Sequence, residues 1–561
     1  MKSSHGSFSI AFRTLCFVGA TRPFGWISLD KREEETGIGS HDPSTVADES
    51  NATSDAESYD ANVGHIARGA SITSFGVAVK GVMRFVIQFS LARMYGPTQL
   101  GFYVLGATVF TVASTLGQFG MDQSVVRHVA EYRAQGDTPR VRGTVLLALL
   151  ATLVLSLVLA ASMYLGAGFL ADRVFDKPFL EVVFKAFAIG VPFTAVSSTA
   201  LVATQGLKTM KPTSYVQQIL QPLINFGLIL GFYLLGSEIL GAVAATVFSA
   251  VVGCVLAFYY LRRMFPALLG ADAPPVFEGR KLFNVSVPMG VVNLTRGASG
   301  WGAVAVVGIL STAHEVGIYN VAARTGGVCA VGLVAFSGIF NPIISDLYSR
   351  NALDDLGALY QDVCRWITAI GLAPFLLTVL LAKDFMAVFG SGFVAGWPVL
   401  VLIAVAQMFS SSVGPTNRVL AMTGHQKTFM ITILCSTALS LAASVPLVYF
   451  YGAVGAAVAT AAGLVVFNLA SVLFVRRLLG VWPYNIRYLK PVAAGGLGAV
   501  VVLLAMLVVT PPEGVRAILV FSPLFLLSYV AANLAFGLDV NDRRFLRSTW
   551  AALGRKIGRV F

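Results

Sequence analysis

The chain has 561 residues, of which 56% are hydrophobic and only 12% charged, and its mean hydropathy is +0.75. That balance excludes a soluble globular protein and fits a chain that crosses a membrane many times. The five cysteines and six histidines are scattered singly, and no phosphate-binding loop, HExxH or usable GxSxG motif is present. Nothing therefore points to a soluble catalytic domain or a metal site, and the chain does not read as an enzyme.

The net charge of +12 is uneven: residues 1–65 hold ten acids and five bases, a balance of −5, which leaves +17 on the rest. Residues 1–65, rich in Ser, Asp, Glu and Asn, read as a disordered acidic cytoplasmic tail. From residue 70 onward fourteen apolar blocks follow: 70–92, 100–122, 144–168, 182–203, 214–236, 239–261, 284–310, 317–341, 362–382, 393–417, 428–450, 452–475, 489–510 and 516–537. Each is long enough to span a core of about 30 Å as a helix. With the N-terminus inside, the outer loops contain only Arg93, Arg173, Lys177, Lys383 and Arg516, and the inner loops and C-terminal tail hold several times more Lys and Arg. This asymmetry predicts an even number of spans and both termini in the cytoplasm. The number is fourteen by count, and twelve if two spans fail.

The two halves repeat. Leu100-Gly101-Phe102-Tyr103 matches Val316-Gly317-Ile318-Tyr319 at an offset of 216. Gly241 through Thr246 matches Gly455 through Thr460 at 214, and Arg262-Arg263 matches Arg476-Arg477, again at 214. Three ordered matches at nearly one offset predict a duplicated six-helix unit with parallel copies. The expected organisation is an N-lobe over 66–265, a C-lobe over 280–480, an appended helix pair over 485–540 and a basic cytoplasmic tail over 541–561.

Within the predicted spans, bases far outnumber acids. Lys80 and Arg84 are four apart near the middle of the first span, with Thr73, Gly76 and Gln88 on the same face. The offset of 216 places Arg296 of the seventh span opposite Lys80, and Arg324 follows Asn320 by four in the eighth. A cation at bilayer depth costs about 3 kcal/mol or more unless it faces a cavity or a partner. Lys80, Arg84, Arg296 and Arg324 are therefore candidates to line an anion-binding cavity, whereas Lys185 lies near an outer helix end. Asp122 is expected to pair near Arg127. A polar stripe of Ser214, Gln218, Gln221 and Asn225, with Asn293 and Asn320, reads equally as sugar-contacting or as glue between helices.

The run 91–137, with Ala92-Arg93, Gly96-Pro97, Gly101-Phe102-Tyr103, Gly120-Met121-Asp122 and the basic stretch Arg127 to Arg133, resembles the start of polysaccharide-biosynthesis membrane proteins. These are the Wzx-type flippases, in the superfamily that also holds MATE exporters and lipid II flippases. The resemblance extends more weakly over about 70–480. It implies an all-α polytopic membrane protein, MATE-like, with two six-helix lobes related by a pseudo-two-fold around a central cavity and two C-terminal helices. It further implies alternating-access export of a polyprenyl- or dolichyl-(pyro)phosphate-linked oligosaccharide across the cytoplasmic membrane. The partners implied are the lipid-linked oligosaccharide, membrane lipids and glycosyltransferases of the same pathway. No nucleic acid is implied, and no cofactor beyond a coupling ion, Na+ or H+. A MATE-like exporter of organic cations is the alternative, and it would want buried carboxylates. A membrane glycan polymerase or ligase would need more outer-loop chemistry than Asp172, Asp176 and Glu181 provide.

Overall fold

A computed structural model describes residues 44–266, 274–508, 514–537 and 542. The chain divides into two compact units, residues 1–66 and 67–561. In the first unit the described residues, 44–66, have helical backbone; the rest of the tail predicted to be disordered lies outside the described residues. A composition unable to form a packed core does not forbid a helix, because a helix closes its backbone bonds locally. The basic tail over 541–561 is likewise outside the described residues except for residue 542.

The second unit is helical, with no strand among the described residues. Helix α1 (Ser44–Gln118), of which residues 67–118 belong to this unit, breaks at Gly96 (φ 72, ψ 178). It is followed by α2 (Met121–Ala134), α3 (Thr138–Leu165) and α4 (Leu180–Gly206). A π-helical turn over Ser214–Leu220 leads into α5 (Gln221–Leu234), and α6 (Ile239–Met264) ends the first lobe. The second lobe comprises α7 (Gly279–Leu310), α8 (Ala313–Gly326), α9 (Val331–Ser349) and α10 (Leu353–Leu380). It continues with α11 (Ala382–Phe389), α12 (Trp397–Val413), α13 (Thr416–Met422) and α14 (Gln426–Leu479). Helices α15 (Leu489–Val508) and α16 (Val515–Ala535) follow.

Among the described residues ten helices are long and apolar enough to cross a membrane, and two of these are double-length, Val79–Ala134 and Gln426–Leu479. Helix α14 breaks at Gly452 (φ 56) and doubles back, since Ser440 Oγ donates to Ala459 O at 3.1 Å. The fifth and seventh predicted spans have no qualifying helix. The π turn and Pro222 interrupt the fifth. The seventh carries Asn293 and Arg296, and only Gly300–Leu310 within it is apolar throughout.

The repeat recurs in the contacts. Tyr103 OH and Thr246 Oγ1 lie 2.9 Å apart, and their counterparts Tyr319 OH and Thr460 Oγ1 lie 3.0 Å apart. A Cβ at Gly101 would come within 1.7 Å of Ala313 O, and one at Gly317 within 2.0 Å of Pro97 O. These two approaches exchange under the offset of 216. Thr98 and His314, themselves equivalent, meet at 3.3 Å and so mark the pseudo-two-fold axis. At this end, called here the Gly96 end, one apolar cluster runs through both lobes, from Leu91, Leu100, Phe184 and Phe187 to Val316, Tyr319, Phe389 and Phe393. At the opposite end the core divides in two, one cluster around Val125, Val145 and Leu201 that also takes in Leu282 of α7 and one around Phe340, Tyr360 and Val419. The pair α15 and α16 rests on the second lobe: Tyr529 OH donates to Ala369 O at 2.9 Å, and Gly514 N to Asp384 Oδ1 at 2.8 Å.

Candidate functional site

The first half of α1 presents Lys80, Arg84 and Gln88 at successive spacings of four, so the three share one face. All three line a cavity of about 580 Å³. The second half of α1 adds Tyr103, Thr108 and Thr111; the π turn and α5 add Gln217, Gln221 and Asn225; α6 adds Thr246 and Ser249. The second lobe closes the cavity with Gly300 and Trp301 of α7 and with Asn320 and Arg324 of α8.

Local structure explains these placements. Arg324 sits in the last turn of α8, where a cation complements the helix dipole. The α-helix stops there because residues Gly327–Ala330 tighten into a 3-10 turn. Gly326 allows the close approach of α12, since a Cβ on it would lie 2.9 Å from Ile403. Asn320 Oδ1 accepts from Gln88 Nε2 at 2.9 Å and from Arg324 Nε at 3.2 Å, which joins the two lobes through one amide. Thr246 Oγ1, beside Tyr103, donates to Asn225 Oδ1 at 3.5 Å. Among the described residues the lining contains Lys80, Arg84 and Arg324 and no carboxylate. Three cations with no internal counter-charge form a site that an anion would stabilise.

The other predicted site residues lie elsewhere. Gln218 does not line the cavity; it faces Gly76, where a Cβ would fall 2.0 Å from its Oε1. The even helical stripe assumed for this stretch is shifted by the π turn, which adds a residue and brings Gln217, Gln221 and Asn225 to the cavity instead. Asn293 donates to both oxygens of Asp122 at 3.2 Å, so Asp122 pairs across the lobes and not with the Arg127 region. The side chain of Arg296 lies outside the described residues. Lys185 is held by Glu181 at 2.6 Å, one turn away. Sequence reasoning passed over Arg365, a buried cation that contacts Asp362 at 3.1 Å and Asp542 at 2.7 Å; the acid three residues before it was the available signal.

A second inter-lobe contact lies at the end opposite Gly96, around Glu278, which is outside the candidate membrane spans. Glu278 contacts Lys281 at 2.8 Å and Arg140 at 3.3 Å, and accepts from Tyr132 OH. The Lys281 hydrogen bond first, then that of Tyr132, holds the Glu278 carboxyl below its ordinary range. Ser124 Oγ donates to Leu282 O at 2.8 Å, and Val276 N to Pro139 O at 3.1 Å. At the Gly96 end Lys177 Nζ donates to Gly308 O at 2.8 Å, and burial lowers the pKa of this amine.

Known proteins share this architecture. The family described as polysaccharide biosynthesis protein matches residues 66–348. The probable low-salt glycan biosynthesis flippase Agl15 of Haloferax volcanii is 24% identical over 397 residues, 70% of this chain and 78% of that protein. Stage V sporulation protein B of Bacillus subtilis is 28% identical over 162 residues, 29% of this chain and 31% of that protein. Among solved structures, the lipid II flippase MurJ in an inward closed conformation aligns with a TM-score of 0.66 at 11% identity, covering 83% of this chain and 98% of that one. An inward-facing MATE family transporter aligns at 0.55 and 16% identity, covering 71% and 98%. The structural likenesses establish the fold, and the family match covers half of the sequence. This multi-pass membrane chain belongs to the polysaccharide biosynthesis protein family.

Proposed function

We propose that the chain is a flippase that moves a polyprenyl- or dolichyl-(pyro)phosphate-linked oligosaccharide across the cytoplasmic membrane by alternating access, with both termini in the cytoplasm. The observation that carries this reading is the charge of the cavity: Lys80, Arg84 and Arg324 face it without a carboxylate among the described lining residues. A (pyro)phosphate supplies the missing negative charge, and guanidinium groups bind phosphate oxygens through paired hydrogen bonds. Gln221 and Asn225 present amides to the same space and suit sugar hydroxyls. The isoprenoid chain stays in the bilayer, since its transfer into a polar cavity would forfeit about 0.8 kcal/mol per CH2. A relative named as a glycan biosynthesis flippase supports the same class of cargo. An exporter of organic cations needs the opposite lining charge.

The test uses proteoliposomes carrying a fluorescent oligosaccharide on a polyprenyl pyrophosphate. Arg84→Ala and Arg324→Ala should each lower the flipping rate about tenfold or more, on the order of one charge-assisted hydrogen bond. Wild-type rates in both variants, at equal amounts of inserted protein, would overturn the reading.

A further inference from the structure

Asn320 was a candidate for touching sugar, but its carbonyl oxygen is already committed. It accepts Arg324 Nε from one turn along α8 and Gln88 Nε2 from α1 of the other lobe. Both amide side chains are buried, with residue exposures of 8%. Arg324 borders the cavity beyond them. We propose that Asn320 is a positioning residue that aims the Arg324 guanidinium at the anion and makes that aim depend on contact between α1 and α8. This rests on the anion-cavity reading above.

A guanidinium carries five N–H donors in a planar fork, one on Nε and four on the two Nη groups. With Nε held by Asn320, the plane of the fork is set and the Nη edge is left for a phosphate. An Arg side chain has large rotamer freedom, and fixing it before the ligand arrives removes part of the ordering cost of binding. Gln88 holds Asn320 by the same oxygen. When the lobes part at this point Asn320 loses its second donor and the aim of Arg324 relaxes, so anion affinity is greatest with the lobes in contact.

The experiment measures binding of inorganic pyrophosphate to the full-length protein in detergent by calorimetry. Asn320→Leu should weaken binding about tenfold. Arg324→Lys, which keeps the charge but has no Nε–H fork, should weaken it by a similar factor. The double variant should bind no more weakly than Arg324→Lys alone, because both changes remove the same aimed fork. Gln88→Leu should give a smaller loss, about threefold. If Asn320→Leu does not accumulate, Asn320→Ala removes the same acceptor without added bulk and completes the same cycle. Effects that multiply in the double variant would overturn the proposal, because a general structural defect at Asn320 would be independent of which cation stands at 324. Wild-type affinity in Asn320→Leu, with binding lost in Arg324→Ala, would overturn it and leave the anion cavity intact. Wild-type affinity in Arg324→Ala would remove the cavity reading and this proposal together.

Discussion

The two ends of the bundle join the lobes with different symmetry. At the Gly96 end the close packing is nearly symmetric: Gly101 against Ala313, Gly317 against Pro97, and one apolar cluster continuous through both lobes. At the other end the close approaches have no symmetric counterpart: a Cβ at Gly120 would lie 2.2 Å from Ser286 O and one at Gly143 1.9 Å from Val276 O, Leu282 joins the first-lobe cluster, and polar groups add to this packing. There Glu278 collects Tyr132, Arg140 and Lys281, and Asn293 collects Asp122. In lipid, close packing of small residues is a principal source of helix association, because burying apolar surface gains little there. A contact made by glycines is therefore set by shape and insensitive to salt. Partly exposed ion pairs such as Glu278 with Lys281 add a small contribution that salt screens. The Gly96 end is pinned by paired close approaches, and the other end adds a polar clasp to its own close packing.

The largest effect is expected at the paired glycine contacts. In Gly101→Val the new side chain must displace backbone, since even its Cβ would fall 1.7 Å from Ala313 O. The cost exceeds the usual 1–3 kcal/mol of overpacking, about enough to prevent recovery of folded protein. Size-exclusion yield in detergent reads this directly, and a monodisperse variant with wild-type melting would show that the Gly96 end is not pinned. An intermediate effect is expected at the clasp. Glu278→Gln should lower the melting temperature by a few degrees near neutral pH, because Arg140 and Lys281 lose their shared carboxylate. The sign with pH follows from the lowered pKa. The stabilisation by Glu278 is present above the ordinary carboxylate value of 4.5 and is lost as pH falls through the lower folded-state value. Wild type and Glu278→Gln should therefore differ at pH 7 and converge in acid, in melting curves taken from pH 7 to pH 3. A difference that persists unchanged at the acid end would remove Glu278 from the clasp.

Much of this arrangement is legible in the amino acids, and the parts that are not have definite physical causes. Hydropathy locates the helices because each must satisfy its backbone within lipid. The spacing of Lys80 and Arg84 places them on one face because a helix brings residues four apart together, and that face lines the cavity. The offset between Gly101 and Gly317 is visible as sequence and recurs as paired close approaches. Gln217 was missed in favour of Gln218 because a π turn changes the register, and nothing in the residue types of 214–220 announces it. Asn320 was read from its face alone, which cannot reveal that Gln88, 232 residues away, already occupies its oxygen. Glu278 escaped notice for the same reason: its partners Tyr132 and Arg140 are distant in sequence, and an acid in a basic loop is unremarkable until the fold brings them together.

The smallest predicted effect separates packing from hydrogen bonding at the pinned end. Thr98 Oγ1 and His314 Nδ1 meet at 3.3 Å on the pseudo-two-fold axis, in an exposed position. A contact on the axis invites the idea that it holds the lobes together. Yet an exposed hydrogen bond exchanges readily with water, and its net contribution is about 0.5 kcal/mol or less. Thr98→Val keeps the shape and removes the hydroxyl, so its melting temperature should stay within about a degree of wild type. The glycines one turn away carry the seam by letting backbones touch, and that contribution is untouched by this substitution. A fall of many degrees in Thr98→Val would mean that hydrogen bonding holds the Gly96 end as firmly as its packing does, and the paired glycine contacts would lose their place as what pins it.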